Sequence, residues 1–251
     1  MPVPPVDSLC RAYTHARKMF GVSYETPPKN FWGSAAIIRS MVLDPPTVPQ
    51  QSVYGGAKAL SLMVMLCSVL SSRQPLPFGG KASWPQGFRW YVVACGSRRS
   101  VFDAFGIALK QHHDAFNVLL VDGEGPVTLS PWEHLQARDH WSIQGIPDNH
   151  CHLMVQIMEA WIIADLETLS RFYGQRFNAY SIPGQDDVES ISKADLERAL
   201  IQATRNTQKG EYHKIRHGPK IFALVDVNKI RNRARHCNRM FTTLSNKIGE
   251  T

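Results

Sequence analysis

The stretch Phe116–Gly125, FNVLLVDGEG, decides how the chain is read. Four large aliphatic residues crowd the five positions from Asn117 to Val121, which predicts a strand buried on both faces of a parallel sheet. That strand ends abruptly on Asp122-Gly123-Glu124-Gly125. Two carboxylates separated by one glycine then fall at the carboxyl edge of an open α/β sheet, where ligands bind. A hard divalent cation takes oxygen ligands held close together, and Asp122 and Glu124 offer them. An exposed turn is the competing reading, since Asp and Gly are common turn residues.

Working outward, Trp90–Ala94 reads as a strand, Cys95-Gly96-Ser97 as its turn, and Ser100 to about His112 as a helix with one apolar side. Strand, helix, strand in so short a span predicts a crossover unit and hence a parallel sheet. Beyond the acidic loop, Ser130-Pro131-Trp132-Glu133 is a capping box that opens a helix to about Arg138. His152–Met158, HLMVQIM, reads as a further buried strand, followed by a helix near Trp161–Tyr173 that Gly174 ends. If that strand lies beside the first, Glu159 reaches the same edge as a third acid for a cation; otherwise it caps the helix it precedes. Helices are also expected from Ser192 to about Thr204, from Pro219 to Leu224 and from Val227 to Leu244.

Residues 1–86 carry a different texture. Prolines at 27, 28, 45, 46, 49, 75 and 77 interrupt any periodicity, and only Asp7–Phe20 and Ala57–Ser71 read as helices. The chain therefore divides into an N-terminal region of uncertain structure, 1–86, and an α/β domain, 87–251, with basic C-terminal helices.

The formal charge of +7 over 251 residues is concentrated near the C-terminus, where Arg205, Lys209, Lys214, Arg216, Lys220, Lys229, Arg231, Arg233, Arg235 and Arg239 face few acids. Phosphate-bearing partners account for such a segment, and so does a solvated helix face. The five cysteines are scattered without CxxC spacing, which fits a reducing, cytoplasmic setting better than a disulfide framework. No signal peptide is read at the start, where Pro2, Pro4 and Pro5 stand. The apolar run Ala59–Leu70 falls short of the ~20 residues of a membrane span. Zinc at His150, Cys151 and His152, or at His112 and His113, is disfavoured because no second cluster accompanies them. Trp132, Trp141 and Trp161 read as core residues. Cys95 has no identifiable base partner, while Arg98 and Arg99 either reach phosphate or are solvated.

The strings VVACGSRRSVFDAF, VLLVDGEGPV, PWEHLQARDHW, HLMVQIMEAWIIAD, RFYGQRF and KGEYHK, in this order between Val92 and about Leu244, resemble the bacterial family called domain of unknown function 4276. That family is similar to Toprim domains, including those of overcoming-lysogenization-defect nucleases, and is often encoded beside an ATPase in phage-defence loci. The resemblance implies an open, mainly parallel Toprim-like sheet flanked by helices and a nuclease that uses Mg2+ or Mn2+. It implies Asp122 and Glu124 as the Asp-x-Asp metal pair, with Glu159 as a further ligand or general base. Lys209 or Lys214, from KGEYHK, would stabilise charge on the phosphate. Arg216, Lys220, Arg231 and Arg235 are the candidate nucleic-acid contacts, and an AAA or ABC-type ATPase is the implied partner.

One departure bears on activity. The Toprim glutamate that follows the first strand in a Val-Glu-Gly setting has no counterpart; the nearest text, Val53-Tyr54-Gly55-Gly56-Ala57, contains no acid. Either the first third has diverged or a shifted reading frame precedes a normal C-terminal part, and the abrupt onset of resemblance near Val92 favours the second. Losing that glutamate implies impaired hydrolysis, and a non-catalytic nucleic-acid-binding or partner subunit is the alternative function.

Overall fold

The computed structural model describes residues 36–42, 88–94 and 97–249. The expected helices over Asp7–Phe20 and Ala57–Ser71 lie outside the described residues, as do the Gly55-Gly56 loop and Cys95-Gly96. The described chain is α/β, with an open four-stranded sheet flanked by helices.

Strands β1 (Ala36–Val42), β2 (Phe88–Ala94), β3 (Asn117–Asp122) and β4 (Cys151–Met154) stand in the order β2-β1-β3-β4. β3 and β4 pair in parallel, Leu119 opposite Cys151 and Asp122 opposite Met154. β1 runs antiparallel to both of its neighbours, with Ala36 opposite Ala94 on one side and Leu120 on the other. β2, β3 and β4 therefore share one direction and β1 alone opposes them. The crossover expected between Trp90–Ala94 and the Phe116 strand does join strands of like direction, but β1 is inserted between them.

β3 is buried throughout because both faces of the sheet are covered. On one face, Leu119 and Val121 pack with Val101 and Phe105 of helix α1 (Arg98–Gln111) and Leu135 of α2 (Pro131–Asp139). On the other, Val118 and Leu120 join a larger core with Trp161, Leu169, Leu196, Met240 and Phe241. The period of two along the strand divides its side chains between these cores. Each fully buried aliphatic contributes roughly 1.5–3 kcal/mol. Trp141 and Trp161 are buried, and Trp132 packs partly buried against the first core, as expected of core aromatics.

The run HLMVQIM divides differently from its expected reading. The strand stops at Met154, and Met158 already opens helix α3 (Met158–Ile163). Every residue from Cys151 to Ala164 is buried, so apolar texture alone does not separate strand from helix there. The helix expected to Tyr173 is two, α3 and α4 (Leu166–Tyr173), because Asp165 caps the second and accepts from Thr168 N at 3.2 Å. Gly174 ends α4 at φ 70°. Helix α5 (Lys193–Thr204) starts at its Ser192 cap, and α6 (Gly218–Phe222) follows. The last expected helix breaks at Ala234 into α7 (Val227–Arg233) and α8 (Arg235–Gly249). Among the described residues no helix is long and apolar enough to cross a membrane.

Candidate functional site

The carboxyl edge of β3 and β4 is tied into a tight turn. Gly123 N donates to Met154 O at 2.8 Å and Glu124 N donates to Gln156 O at 2.6 Å, extending the β3–β4 pairing past the strand ends. A Cβ at 123 would lie 3.2 Å from Val127 Cγ2, so glycine suits the close approach. Glu124 takes a left-handed φ of 63°, a backbone region that non-glycine residues seldom adopt.

Asp122 and Glu159 meet here. Asp122 is 3% exposed and its Oδ1 accepts from Met158 N at 2.9 Å, the backbone donor at the start of α3. A carboxylate is well placed at a helix start, where backbone N–H groups are otherwise unpaired. Glu159 is 1% exposed, one position further along the same helix. Lys214 Nζ donates to Glu159 Oε2 at 2.9 Å and lies 3.7 Å from Asp122 Oδ2. The Tyr212 hydroxyl donates to the other Glu159 oxygen at 3.0 Å. Gly218, at the start of α6, leaves room for that hydroxyl: a Cβ there would stand 3.3 Å from it.

Burial acts to lower the Lys214 ammonium, but the charges of Asp122 and Glu159 outweigh it and hold its pKa above the ordinary value. Burial raises the Tyr212 phenol well above its usual range, and the Glu159 charge adds to the rise, so this group stays a donor.

The other predicted residues are bonded elsewhere, although the Glu124 charge still reaches Lys214. Glu124 pairs with Lys193 at the start of α5, Nζ to Oε2 2.6 Å. Burial works to raise the Glu124 carboxyl, yet the Lys193 hydrogen bond and charge prevail and hold it below the ordinary value. Lys209 is exposed and lies over the Phe172 ring at 5.3 Å, away from the two acids. Arg216 and Lys220 are exposed beside His217, whose pKa burial lowers to about 4 with the help of the Arg216, Lys220 and Lys209 charges. Arg231 donates to Asn238 at 2.9 Å on the α7–α8 corner, and Arg235 donates to Val127 O at 3.0 Å. The predicted nucleic-acid contacts are thus divided between two places.

Sequence reading missed two contributors and misplaced a third. Tyr212 stands two positions before Lys214 in KGEYHK, and that spacing was its only signal. Lys193 was visible only as part of a helix start. Arg98 is neither solvated nor free to reach phosphate: it donates to the Asp122 carbonyl, holds Asp139 through Nε at 3.0 Å and NH2 at 2.6 Å, and lies over Trp141. Arg99 remains exposed beside Asp103.

The residues present do not fit the implied divalent ion as they are arranged. An ammonium lies between the two acids that would have to share it, and the third acid is turned to a different lysine. Among the described residues no group of three or more His, Cys, Asp or Glu side chains converges as a metal site.

Fold and site together define an α/β protein with an acid–lysine–tyrosine cluster at the carboxyl rim of its sheet. The family model described as domain of unknown function (DUF4276) matches residues 86–245, and the chain belongs to that family. No curated protein and no solved structure matches it.

Proposed function

We propose that the chain is a nucleic-acid-binding subunit of a bacterial defence assembly, one that grips phosphate through basic side chains and works with a partner ATPase. The observation that carries this reading is a cluster of exposed cations about His217: Arg216 bonds its ring at 3.2 Å, Lys209 lies over the Phe172 ring that packs on it, and Lys220 follows on α6, next to the segment that supplies Lys214. Such a surface neutralises several phosphates and releases their counterions, so affinity falls as salt rises. Partnership with an AAA or ABC-type ATPase is what the family resemblance implies, since such genes often lie beside an ATPase in phage-defence loci.

A metal-dependent nuclease is the second reading, favoured by Asp122 and Glu159 reaching one rim from separate segments. Hydrolysis of a phosphodiester builds charge that Mg2+ or Mn2+ would neutralise. Lys214 lies where the ion would be needed, which counts against this reading.

One comparison separates the two. Plasmid DNA and tRNA are incubated with the chain and with Asp122→Ala in Mg2+ or Mn2+, and binding is measured on the same preparations. The binding reading expects salt-sensitive association weakened by Arg216→Ala combined with Lys220→Ala, and no cleavage above background. Cleavage by the unaltered chain that Asp122→Ala abolishes would overturn it in favour of the nuclease.

A further inference from the structure

Each oxygen of the two buried rim carboxylates faces a partner. Asp122 Oδ1 takes the Met158 N–H and Oδ2 faces Lys214; Glu159 Oε1 takes the Tyr212 hydroxyl and Oε2 takes Lys214. The acids cannot retreat to water, with side chains 4% and 1% exposed, whereas the Lys214 side chain is 31% exposed and can. Two adjacent buried anions without a cation are costly, so the cluster needs a positive charge whatever supplies it.

We infer that Lys214 is a built-in replacement for the divalent ion: its ammonium occupies the seat between Asp122 and Glu159 and keeps that seat closed to metal in the resting protein. The Toprim resemblance implies an ion at this rim, and the residues observed there hold an ammonium in its stead. It deepens the second, metal-dependent reading of the rim and does not depend on whether nucleic acid is bound or cut.

The consequence is an exchange. Removing the ammonium leaves two oxygen-rich anions, which suit a hard divalent cation. Mn2+ alone is therefore the probe, its binding followed by its paramagnetic resonance signal and by titration calorimetry on the full chain. The unaltered protein is expected to bind Mn2+ weakly. Lys214→Met is expected to bind at least roughly tenfold more tightly, since a competing cation no longer holds the seat. Adding Asp122→Asn to Lys214→Met is expected to abolish the gain.

Lys214→Gln, which keeps a hydrogen-bond donor, is measured in parallel in case the methionine variant does not fold. If either variant folds only when Mn2+ is added, the inference is supported. Equal Mn2+ affinity with and without Lys214, a gain indifferent to Asp122→Asn, or variants that Mn2+ does not stabilise would overturn it. None of these measurements reads cleavage or nucleic-acid binding, so the failure of the functional proposal and the failure of this one are seen separately.

Discussion

Lys214 Nζ stands 2.9 Å from Glu159 Oε2, joining residues 55 positions apart across the edge of the sheet. Glu159 belongs to α3, which packs into the larger core, while Lys214 lies in the connection between α5 and α6. One ammonium thus fastens a loop to the sheet and to the helix that follows β4.

Removing that ammonium is expected to be costly in metal-free buffer. Breaking a buried ion pair from one side costs about 3–5 kcal/mol, and Lys214→Met should fall at the low end because its side chain is partly exposed. Urea unfolding of the single variants and of Lys214→Met with Glu159→Gln closes a double-mutant cycle. A coupling above about 1 kcal/mol is expected between these contacting residues.

Glu124 separates backbone strain from charge. Its left-handed φ of 63° favours glycine, while its Lys193 partner is 43% exposed and so worth at most about 1 kcal/mol. Glu124→Gly is therefore expected to leave the melting temperature nearly unchanged, gain and loss offsetting. Glu124→Val, which loses the pair and keeps a β-branched residue at positive φ, should melt clearly lower.

Arg98 secures the rim from below. Its guanidinium holds both Asp139 oxygens and the Asp122 carbonyl, a fork that a lysine cannot reproduce. Arg98→Lys is expected to cost about 1.5–3 kcal/mol in chemical denaturation, the range for hydrogen bonds to charged groups. Faster amide exchange at Gly123 and Glu124 should accompany the loss.

How far the sequence could be read follows from where each signal lies. β3 was legible because its burial on both faces writes a continuous apolar run, and the Ser130 capping box because its partners are three residues apart: Ser130 N donates to Glu133 Oε2 at 3.1 Å. β1 was not. AIIRSMV lies among prolines, and its pairing partners lie roughly fifty and eighty residues later, so nothing local marks it. Asp122 and Glu159 were legible as acids at the ends of buried segments, and their meeting follows from the parallel β3–β4 register. What the spacing did not contain was counter-charge: Lys214 was named for phosphate and Lys193 not at all, yet each holds a rim acid. Which lysine reaches which carboxylate is decided by the packing of α5 and of the connection to α6, which is tertiary information.

Two buried imidazoles are expected to make stability depend on mild acid. His217 shares a hydrogen bond with the Tyr173 hydroxyl at 3.0 Å, and its Nε2 accepts from Arg216 Nε at 3.2 Å, an acceptor role that protonation ends. Burial and the surrounding cations lower its pKa from 6.5 to about 4; burial and Arg239 lower that of His152 from 6.5 to about 3. The unfolded chain takes up protons on both rings near pH 6.5, whereas the folded chain resists until its own lower values are reached. Protons therefore favour the unfolded state across that window, and stability should decline from about pH 6.5 downward until the folded values are passed. His217→Gln, which cannot titrate, should flatten part of that decline and leave the His152 share in place. Denaturation midpoints taken between pH 7.5 and 4 for both proteins check this, and identical slopes would place the acid sensitivity elsewhere in the chain.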